Sequence, residues 1–481
     1  MCGITLIALV VTIVVLLILA GITISLVFSD NGIIAKAREA AEKTNQATVN
    51  EQEEMNKLAD YMSNMLNGTD GGTIGDEEET IGGEYSELEG VNTPKYYESQ
   101  MTPIKWNGSA WVETTGSDAD WYDYLNKKWA NAVVGGSFNE DGTLNQNSNY
   151  SMFVWIPRYA YRITSGYHRS GADLNSTTPA EGAGTIEVEF MKGTSNESAT
   201  GRTSFDNASG QGNWNIHPAF EYGETVSGIW VAKFEASRID ASPDSEGTSK
   251  IIKVQPGVQG IRDQLNDAYA ICLNYDTTLN SHLQKNTEWG AVTYLSKSKY
   301  GKENEEVWIN NSSNYITGAA GNSAIASMDV GTTTDYTSAQ GVKASTTGTV
   351  YGIYDMNGGC WEYVAAYINN STAMSSKYGN NLVNGDIKTK DVYDITDEDS
   401  QEANYENSKI KYGDAIYETS NNYVGDSRGA WYADSPIMPY DNVPFFWRSG
   451  HRSGNEAAGL FFFSYGDGSS KYSFRPVLVV V

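Results

Sequence analysis

The chain has 481 residues, enough for about two to four domains and for a large buried core. Its net charge of −27 and pI near 4.5 argue against a nucleic-acid-binding protein, because phosphates require a face rich in Lys and Arg. The same acidity suits an extracellular protein that has to stay soluble at a crowded surface. The four His residues are scattered, and no Cys/His cluster with zinc spacing is present in the sequence. A Cys272–Cys360 disulfide and two free thiols are both compatible with the sequence.

An uncharged apolar run occupies residues 4–28. It is long enough for one helix to cross a hydrocarbon core of about 30 Å. A plain signal anchor is one interpretation of this run. The other comes from Gly3-Ile4-Thr5-Leu6-Ile7, which resembles the type IV pilin signature. That resemblance implies cleavage after Gly3, with Ile4 as the mature N-terminus, and we predict a pilin-like transmembrane helix.

Two further segments follow this run. Residues 33–66 carry Ala-rich, weakly hydrophobic positions at spacings of three and four, which predicts an amphipathic stalk. Residues 67–92 are rich in Gly, Glu and Asp and contain no Lys or Arg, which predicts an extended acidic tether. The predicted organisation is therefore a helix and stalk over 1–66, a tether over 67–92, and a ligand-binding domain over 93–481.

The sequence after residue 92 consists of short β-type segments between Gly, Asn, Asp and Ser. Strands are expected at 153–156, 228–234 and 475–480, and a helix at 260–273. The remaining long polar segments are interpreted as loop insertions, at 165–212, 305–350 and 385–440.

Four blocks in this region are similar, in order, to the formylglycine-generating-enzyme version of the C-type lectin fold. The blocks are 229–237, 285–301, 351–364 with Trp361-Glu362-Tyr363, and 448–450 with 473–478. The resemblance implies an irregular β-rich lectin-type domain. With the N-terminal segments, the predicted fold class is α+β: a membrane or pilin-like α-helix and stalk, then a C-type lectin domain with long loop insertions. Trp361 and Tyr363 are expected to fill its core, and Arg475 to brace it through a buried ion pair or carbonyl contacts.

Catalysis is not expected in this domain. The oxidising relatives use cysteines near the C-terminal block, whereas residues 442–481 contain none. Gly425-Asp426-Ser427-Arg428-Gly429 matches a nucleophile-elbow string but lacks a preceding apolar strand, so it is interpreted as a chance match. The resemblance allows a structural Ca²⁺ near Glu362, and no other cofactor or metal is expected.

The segment 445–478 is interpreted as a display surface. Phe461 and Phe463 are expected to share one face of a strand, so that the other face, with its flanking loops, meets a ligand. These residues mix aromatic and short polar side chains, as antibody paratopes do. The predicted ligand-binding residues are Phe446, Trp447, His451, Arg452, Ser453, Asn455, Leu460, Phe462, Ser464, Tyr465, Asp467, Ser469, Ser470 and Tyr472.

The ending Ser473-Phe474-Arg475-Pro476-Val477-Leu478 also resembles that of variable proteins of diversity-generating retroelements. This resemblance implies that outward positions of the segment are rewritten while the scaffold residues stay fixed. The alternative is an ordinary terminal strand and loop whose surface is rich in Tyr, Ser and Asn.

The predicted function is that of a bacterial, surface-anchored, non-enzymatic adhesin or receptor-like protein. Its expected partners are a protein or glycan target on another cell, a phage or a host surface, the membrane, and other pilin-like subunits, with no nucleic acid. The alternatives are a formylglycine-generating-type modification enzyme and a purely structural pilin subunit. Ala8, where pilins carry Glu, disfavours the structural alternative.

Overall fold

The structure of the protein is a computed structural model that describes residues 93–168, 183–238, 251–328, 335–422 and 429–481. These residues all belong to one compact unit, Gly82–Val481. The predicted stalk and tether (1–66 and 67–92) lie outside the described residues, as do Gly3 and Ile4 at the predicted processing site.

Strands outnumber helices among the described residues, and most are short. In chain order they are β1 Met101–Trp106, β2 Trp111–Glu113, β3 Asn131–Gly135, β4 Tyr150–Pro157, β5 Tyr159–Ser165, β6 Thr185–Phe190, β7 Asn215–Ile216, β8 Gly228–Ala232, β9 Ser237–Arg238, β10 Ile252–Lys253, β11 His282–Leu283, β12 Glu362–Asn369, β13 Asp391–Asp394, β14 Phe445–Arg448, β15 Phe463–Gly466 and β16 Pro476–Leu478. The α-helices are α1 Leu265–Leu273, α2 Asn286–Ser296, α3 Ser371–Ser375, α4 Asn380–Asn384 and α5 Gln401–Ser408.

The largest sheet has seven strands in the order β11-β16-β8-β4-β3-β1-β2, and all its pairs are antiparallel. Every residue of the central strand β4 is buried, which explains its run of Phe, Val, Trp and Ile. Trp155 of β4 lies opposite Trp230 of β8, with ring centroids 5.3 Å apart. The strands expected at 153–156, 228–234 and 475–480 are thus confirmed, and all three belong to this sheet.

A second sheet contains the C-terminal strands in the order β13-β12-β14-β15. β12 pairs with β13 in parallel and with β14 in antiparallel orientation, with an irregularity between Tyr363 and Tyr367. β14 then pairs with β15, which places Trp447 opposite Ser464 and Arg448 opposite Phe463. The remaining described strands form a three-stranded sheet, β6-β5-β7, and a two-stranded one, β10-β9.

Helix α2 lies against the hydrophobic core of the protein, and all its residues are buried. Its first turn is capped by Glu288, whose carboxylate accepts a hydrogen bond from the backbone N–H of Lys285 at 2.8 Å. Gly290 permits close packing, because a Cβ there would lie 1.9 Å from the carbonyl oxygen of Gly413. Trp289 Nε1 donates a hydrogen bond to the carbonyl oxygen of Leu460 at 2.8 Å, so α2 also holds the C-terminal segment.

The predicted α+β fold class is wrong for the described residues, and the membrane or pilin-like helix that was expected to lead it lies outside them. The described residues form a β-rich fold whose longest helix is the 11-residue α2. Within the described ranges, none of the helices has the length and apolarity that crossing a membrane requires. The physical reason is the short spacing of turn-forming residues, which favours strands and leaves little room for long 3.6-residue periods. The helix expected at 260–273 begins only at Leu265.

Candidate functional site

The C-terminal segment is attached to the core by Arg475, which is completely buried. Its Nε donates to Glu362 Oε2 at 2.7 Å and its Nη2 to Glu362 Oε1 at 2.5 Å. Nη1 also donates to the carbonyl oxygen of Ala232 at 3.1 Å, and Nη2 to that of Tyr354 at 3.2 Å. Burial opposes the charge of Arg475, but the Glu362 carboxylate outweighs it and raises the pKa of the guanidinium. The expected bracing role of Arg475 is confirmed, through both kinds of contact.

The turn after β14 is held by two further groups, Arg448 and Ser449. Arg448 is buried, and its Nη2 donates to the carbonyl oxygens of Asp414 and Ala415 at 3.3 and 3.2 Å. Ser449 adopts a left-handed backbone conformation with φ 76°. Its hydroxyl donates to the carbonyl oxygen of Gly358 at 2.7 Å, which stabilises that uncommon conformation. The turn therefore holds the following residues, from His451 onward, in a defined position.

Seven half-buried rings lie in contact around this framework, and we refer to them as the aromatic face. They are Tyr315, Trp361, Tyr440, Trp447, His451, Tyr465 and Tyr472.

The rings of the aromatic face form a continuous series. His451 stacks on Trp361 with centroids 4.6 Å apart, and Trp361 meets Tyr472 at 5.1 Å. Tyr472 packs edge-on against Trp447 at 4.6 Å, and Trp447 lies 6.5 Å from Tyr465. Gly466 makes room for Trp447, since a Cβ there would lie 2.2 Å from the indole ring. Each of these rings is thus partly exposed and in contact with its neighbours.

The two ends of the series are built from distant loops. At one end Tyr440 packs edge-on against Tyr465 at 5.4 Å. At the other end Tyr315 lies 6.1 Å from His451, and the guanidinium of Arg452 sits 3.7 Å above the Tyr315 ring. This distance is well inside the range of a favourable cation–π contact. The aromatic face therefore extends beyond the C-terminal segment.

The protonation state of His451 follows from its contacts. Arg452 Nη1 lies 3.1 Å from His451 Nε2, and a guanidinium has no acceptor, so Nε2 accepts this hydrogen bond. His451 Nδ1 lies 2.7 Å from Ser453 Oγ, and the backbone N–H of Ser453 points to the same nitrogen at 3.4 Å. Burial and then the charge of Arg262 lower the pKa of His451. The imidazole is therefore neutral at physiological pH and presents an aromatic, polar surface.

The predicted ligand-binding residues divide into an inner and an outer group. The outer group, exposed or half-buried, is Trp447, His451, Arg452, Ser453, Asn455, Tyr465, Asp467, Ser469, Ser470 and Tyr472. The inner group is buried, so the predicted exposure of its residues is wrong. It consists of Phe446, Leu460, Phe462 and Ser464.

The inner group is buried for reasons of local backbone geometry. Alternation along β14 turns Phe446 away from Trp447 and against Tyr393, with ring centroids 4.8 Å apart. Leu460 and Phe462 precede β15, which begins only at Phe463, so strand alternation does not apply to them. Ser464 lies opposite the large Trp447 side chain across the strand pair and is covered.

Three members of the aromatic face are absent from the predicted ligand-binding residues. Trp361 is expected in the core, yet it is half-buried in this face, while Tyr363 is buried as expected. No local pattern distinguishes Trp361 from Tyr363, because both flank the buried Glu362 and Trp361 precedes the start of β12. Tyr315 and Tyr440 come from distant loops, and no local pattern marks them.

Two kinds of chemistry can be tested against this geometry. Cys272 and Cys360 are free thiols, both buried, and burial raises the pKa of each. Neither is therefore a reactive thiolate. Glu362 uses both carboxylate oxygens on Arg475, so it does not fit a Ca²⁺ site, and no group of three or more metal-binding side chains occurs within the described ranges. Residues 423–428, with most of the Gly425–Gly429 string, lie outside those ranges.

Comparison with known proteins adds no assignment: no protein-family model matches the chain, and no curated protein matches it either.

Proposed function

We propose that this protein is a non-enzymatic ligand-binding protein of the cell surface that contacts a protein target through its aromatic face. The observation that carries the proposal is the continuous series of half-buried rings, from Tyr315 through Trp447 to Tyr440, on a backbone fixed by Arg475 and Arg448. Large, rigid and amphipathic rings give much contact area at a low cost in conformational entropy.

The composition of the surface favours a protein target. Arg452, Ser453, Asn455 and Asp467 surround the rings, so that aromatic anchors are combined with short polar groups. Protein interfaces are enriched in Tyr, Trp and Arg near their centre and are polar at the rim. The proposed target is therefore a folded protein with an apolar patch and polar margins.

The resemblance to lectin-type variable proteins is part of the proposal. In such a scaffold, outward residues change while the backbone keeps its shape. The separation between the buried Arg475 and Phe474 and the outer His451, Tyr465 and Tyr472 supports this division of roles. The surface location rests on the sequence alone, on the uncharged run 4–28 and the net charge of −27.

Two observations support the part of the proposal that the protein is not an enzyme. The thiols of Cys272 and Cys360 are buried and have raised pKa values, so they are poor nucleophiles. The Glu362 carboxylate is completely buried and paired with Arg475, so a substrate does not reach it for a proton transfer.

A display selection on the full chain tests the proposal. One library randomises Trp447, His451, Arg452, Tyr465 and Tyr472. This library and a matched control library are each selected against a single defined protein, streptavidin. The matched control library randomises five exposed residues outside the aromatic face. Three lie on or beside α5, and the full set is Lys299, Asn384, Glu402, Glu406 and Lys409. We expect folded binders from the first library only. Equal enrichment from both libraries, or a first library that fails to fold, would contradict the proposal.

The diversification part has its own test. The last hundred or so bases of the gene are aligned with neighbouring non-coding DNA. A near-copy whose mismatches fall at adenines, in the codons of the outer group, is the expected result. Mismatches spread evenly over the codons of buried and outer residues would argue against it.

A further inference from the structure

A groove with a volume of about 470 Å³ lies at the β1–β2 end of the seven-stranded sheet. Its lining includes no residue of the aromatic face. One wall is the β1–β2 hairpin with Trp106 and Trp111, another is the loop over residues 139–147, and the third is the segment Asp335–Thr337. Its volume falls within the range of about 300–1,000 Å³ that is typical of small-molecule sites.

The lining combines one half-buried aromatic ring, that of Trp106, with planar side-chain amides. Trp106 is half-buried, and its ring is held edge-on against the buried Trp111, with centroids 5.7 Å apart. Asn139, Gln146 and Asn147 are exposed along the loop wall. Asn139 Nδ2 donates to Thr143 Oγ1 at 2.9 Å, and Gln146 Oε1 accepts a hydrogen bond from the Tyr150 hydroxyl at 2.7 Å, so both amides are held in place. A planar amide has more than one donor and acceptor position, and those that remain match the hydroxyl groups of a sugar.

The groove is formed before any ligand arrives. The backbone N–H of Leu144 donates to the carbonyl oxygen of Trp111 at 2.8 Å, and Glu113 N–H donates to that of Gly142 at 3.0 Å. Trp111 Nε1 donates to the hydroxyl of Tyr336 at 2.7 Å, which ties the hairpin to the third wall. A preformed site avoids the entropy cost of ordering its walls on binding.

The charges of the lining restrict the ligand class. Asp335 is exposed at the rim, and the lining contains no Lys or Arg. Phosphorylated and carboxylated ligands would lack a counter-charge there. A purely apolar ligand would cover the amides without replacing their hydrogen bonds to water, which is unfavourable for each buried group. A flat, neutral ligand with many hydroxyl groups meets both conditions.

We propose that this groove binds a neutral oligosaccharide, with one pyranose ring stacked on Trp106 and its hydroxyl groups bonded to the loop amides. The site would be separate from the aromatic face. One protein would then hold a glycan on the sheet end while it contacts a protein target through its C-terminal segment.

Saturation-transfer NMR on the full-length chain tests this inference, with cellotriose, maltotriose, mannotriose and chitotriose as probes at millimolar concentration. We expect transfer to at least one of these sugars. Trp106→Ala should abolish the transfer or raise Kd about tenfold or more, because the stacking surface is lost. Asn147→Ala should raise Kd several-fold, because one hydrogen bond to the sugar is lost. Tyr465→Ala, on the aromatic face, should leave the transfer unchanged.

Three results would overturn the inference. The first is no transfer to any of the four sugars, and the second is unchanged binding in a folded Trp106→Ala variant. Should Trp106→Ala fail to fold, Asn147→Ala decides in its place. The third is loss of binding in Tyr465→Ala, which would move the glycan to the aromatic face. The first two results do not bear on whether the aromatic face binds a protein, whereas the third would assign that face to a glycan instead.

Discussion

The inner and outer sides of the C-terminal segment differ in how their side chains are held. Phe461, Phe474 and Arg475 are completely buried, and Arg475 has four hydrogen bonds to fixed partners. Tyr465 and Tyr472 are half-buried and keep one side toward solvent. The same short stretch of chain therefore contains residues that define the backbone and residues that only rest on it.

This difference separates stability from recognition. Removing a buried partner leaves a cavity or an unpaired charge, whereas removing a half-exposed ring mostly returns a surface to water. The outer side can change without altering the fold, and the inner side cannot. The following predictions test that separation, from the largest expected effect to the smallest.

Replacement of Arg475 should be the most damaging change. Arg475→Met leaves the Glu362 carboxylate buried and unpaired, which we expect to cost about 3–5 kcal/mol in the free energy of unfolding. Chemical denaturation of the full chain measures it. The double variant Arg475→Met with Glu362→Gln should recover part of the loss, because the uncompensated charge is gone. No recovery would mean that the shape of the Arg475 side chain, and not its charge, causes the loss.

Truncation of Phe461 should cost nearly as much. Its ring is buried against Trp431 at 5.2 Å, and Phe461→Ala is expected to lower the free energy of unfolding by about 3–5 kcal/mol. Tyr465→Ala, in the neighbouring strand, is the matched control and should cost clearly less. Equal losses in the two variants would erase the distinction between inner and outer side chains.

The two histidines His217 and His451 extend the comparison to pH. His217 is buried among Tyr159, Phe220 and Tyr294, and burial lowers its pKa to about 3. Below about pH 6.5 the unfolded chain takes up a proton that the folded protein refuses, so stability is present above that pH and is lost as the pH falls toward 3. By pH 4.5 the contribution of His217 alone should be a loss of about 2–3 kcal/mol, whereas protonation of the buried Glu418 and Asp434, whose pKa values are raised to about 7, acts in the opposite direction.

Unfolding measured at pH 7 and pH 4.5 checks this expectation. The difference in the free energy of unfolding between the two pH values should be smaller in His217→Gln, because glutamine does not titrate. In His451→Gln it should change little, because that ring is half-buried. An unchanged pH dependence in His217→Gln would show that other groups control the acid sensitivity.

The smallest stability effects are expected on the aromatic face itself. Arg452→Ser and Tyr465→Ser should each change the free energy of unfolding by about 1 kcal/mol or less, as surface substitutions commonly do. Both variants should also bind less tightly to a protein target that has first been selected for binding to the unchanged chain. Surface plasmon resonance alongside thermal unfolding measures the two effects. A large fall in the unfolding midpoint with either variant would place its side chain in the core.

Much of the β-rich body was predictable from local sequence. The runs at 153–156 and 228–232 are apolar and β-branched or aromatic, and they form buried strands. Arg475 was predictable too, because a guanidinium between Phe474 and Pro476 has to find a partner when it is buried.

The assembled site was only partly predictable. Leu460 and Phe462 were misplaced because alternation was applied before the start of β15, where a turn directs the chain. Tyr315 and Tyr440 join the aromatic face through tertiary contacts over long sequence separations. No periodicity within a segment encodes such contacts, so they could not be read from local pattern.

The most direct test replaces His451, Arg452, Tyr465 and Tyr472 together with Ser in the full-length chain and compares its unfolding midpoint and target binding with those of Phe461→Ala. The account predicts that the fourfold variant unfolds close to the unchanged protein and loses binding, while Phe461→Ala unfolds far earlier. A fourfold variant that is as unstable as Phe461→Ala, or one that still binds the target fully, would contradict it.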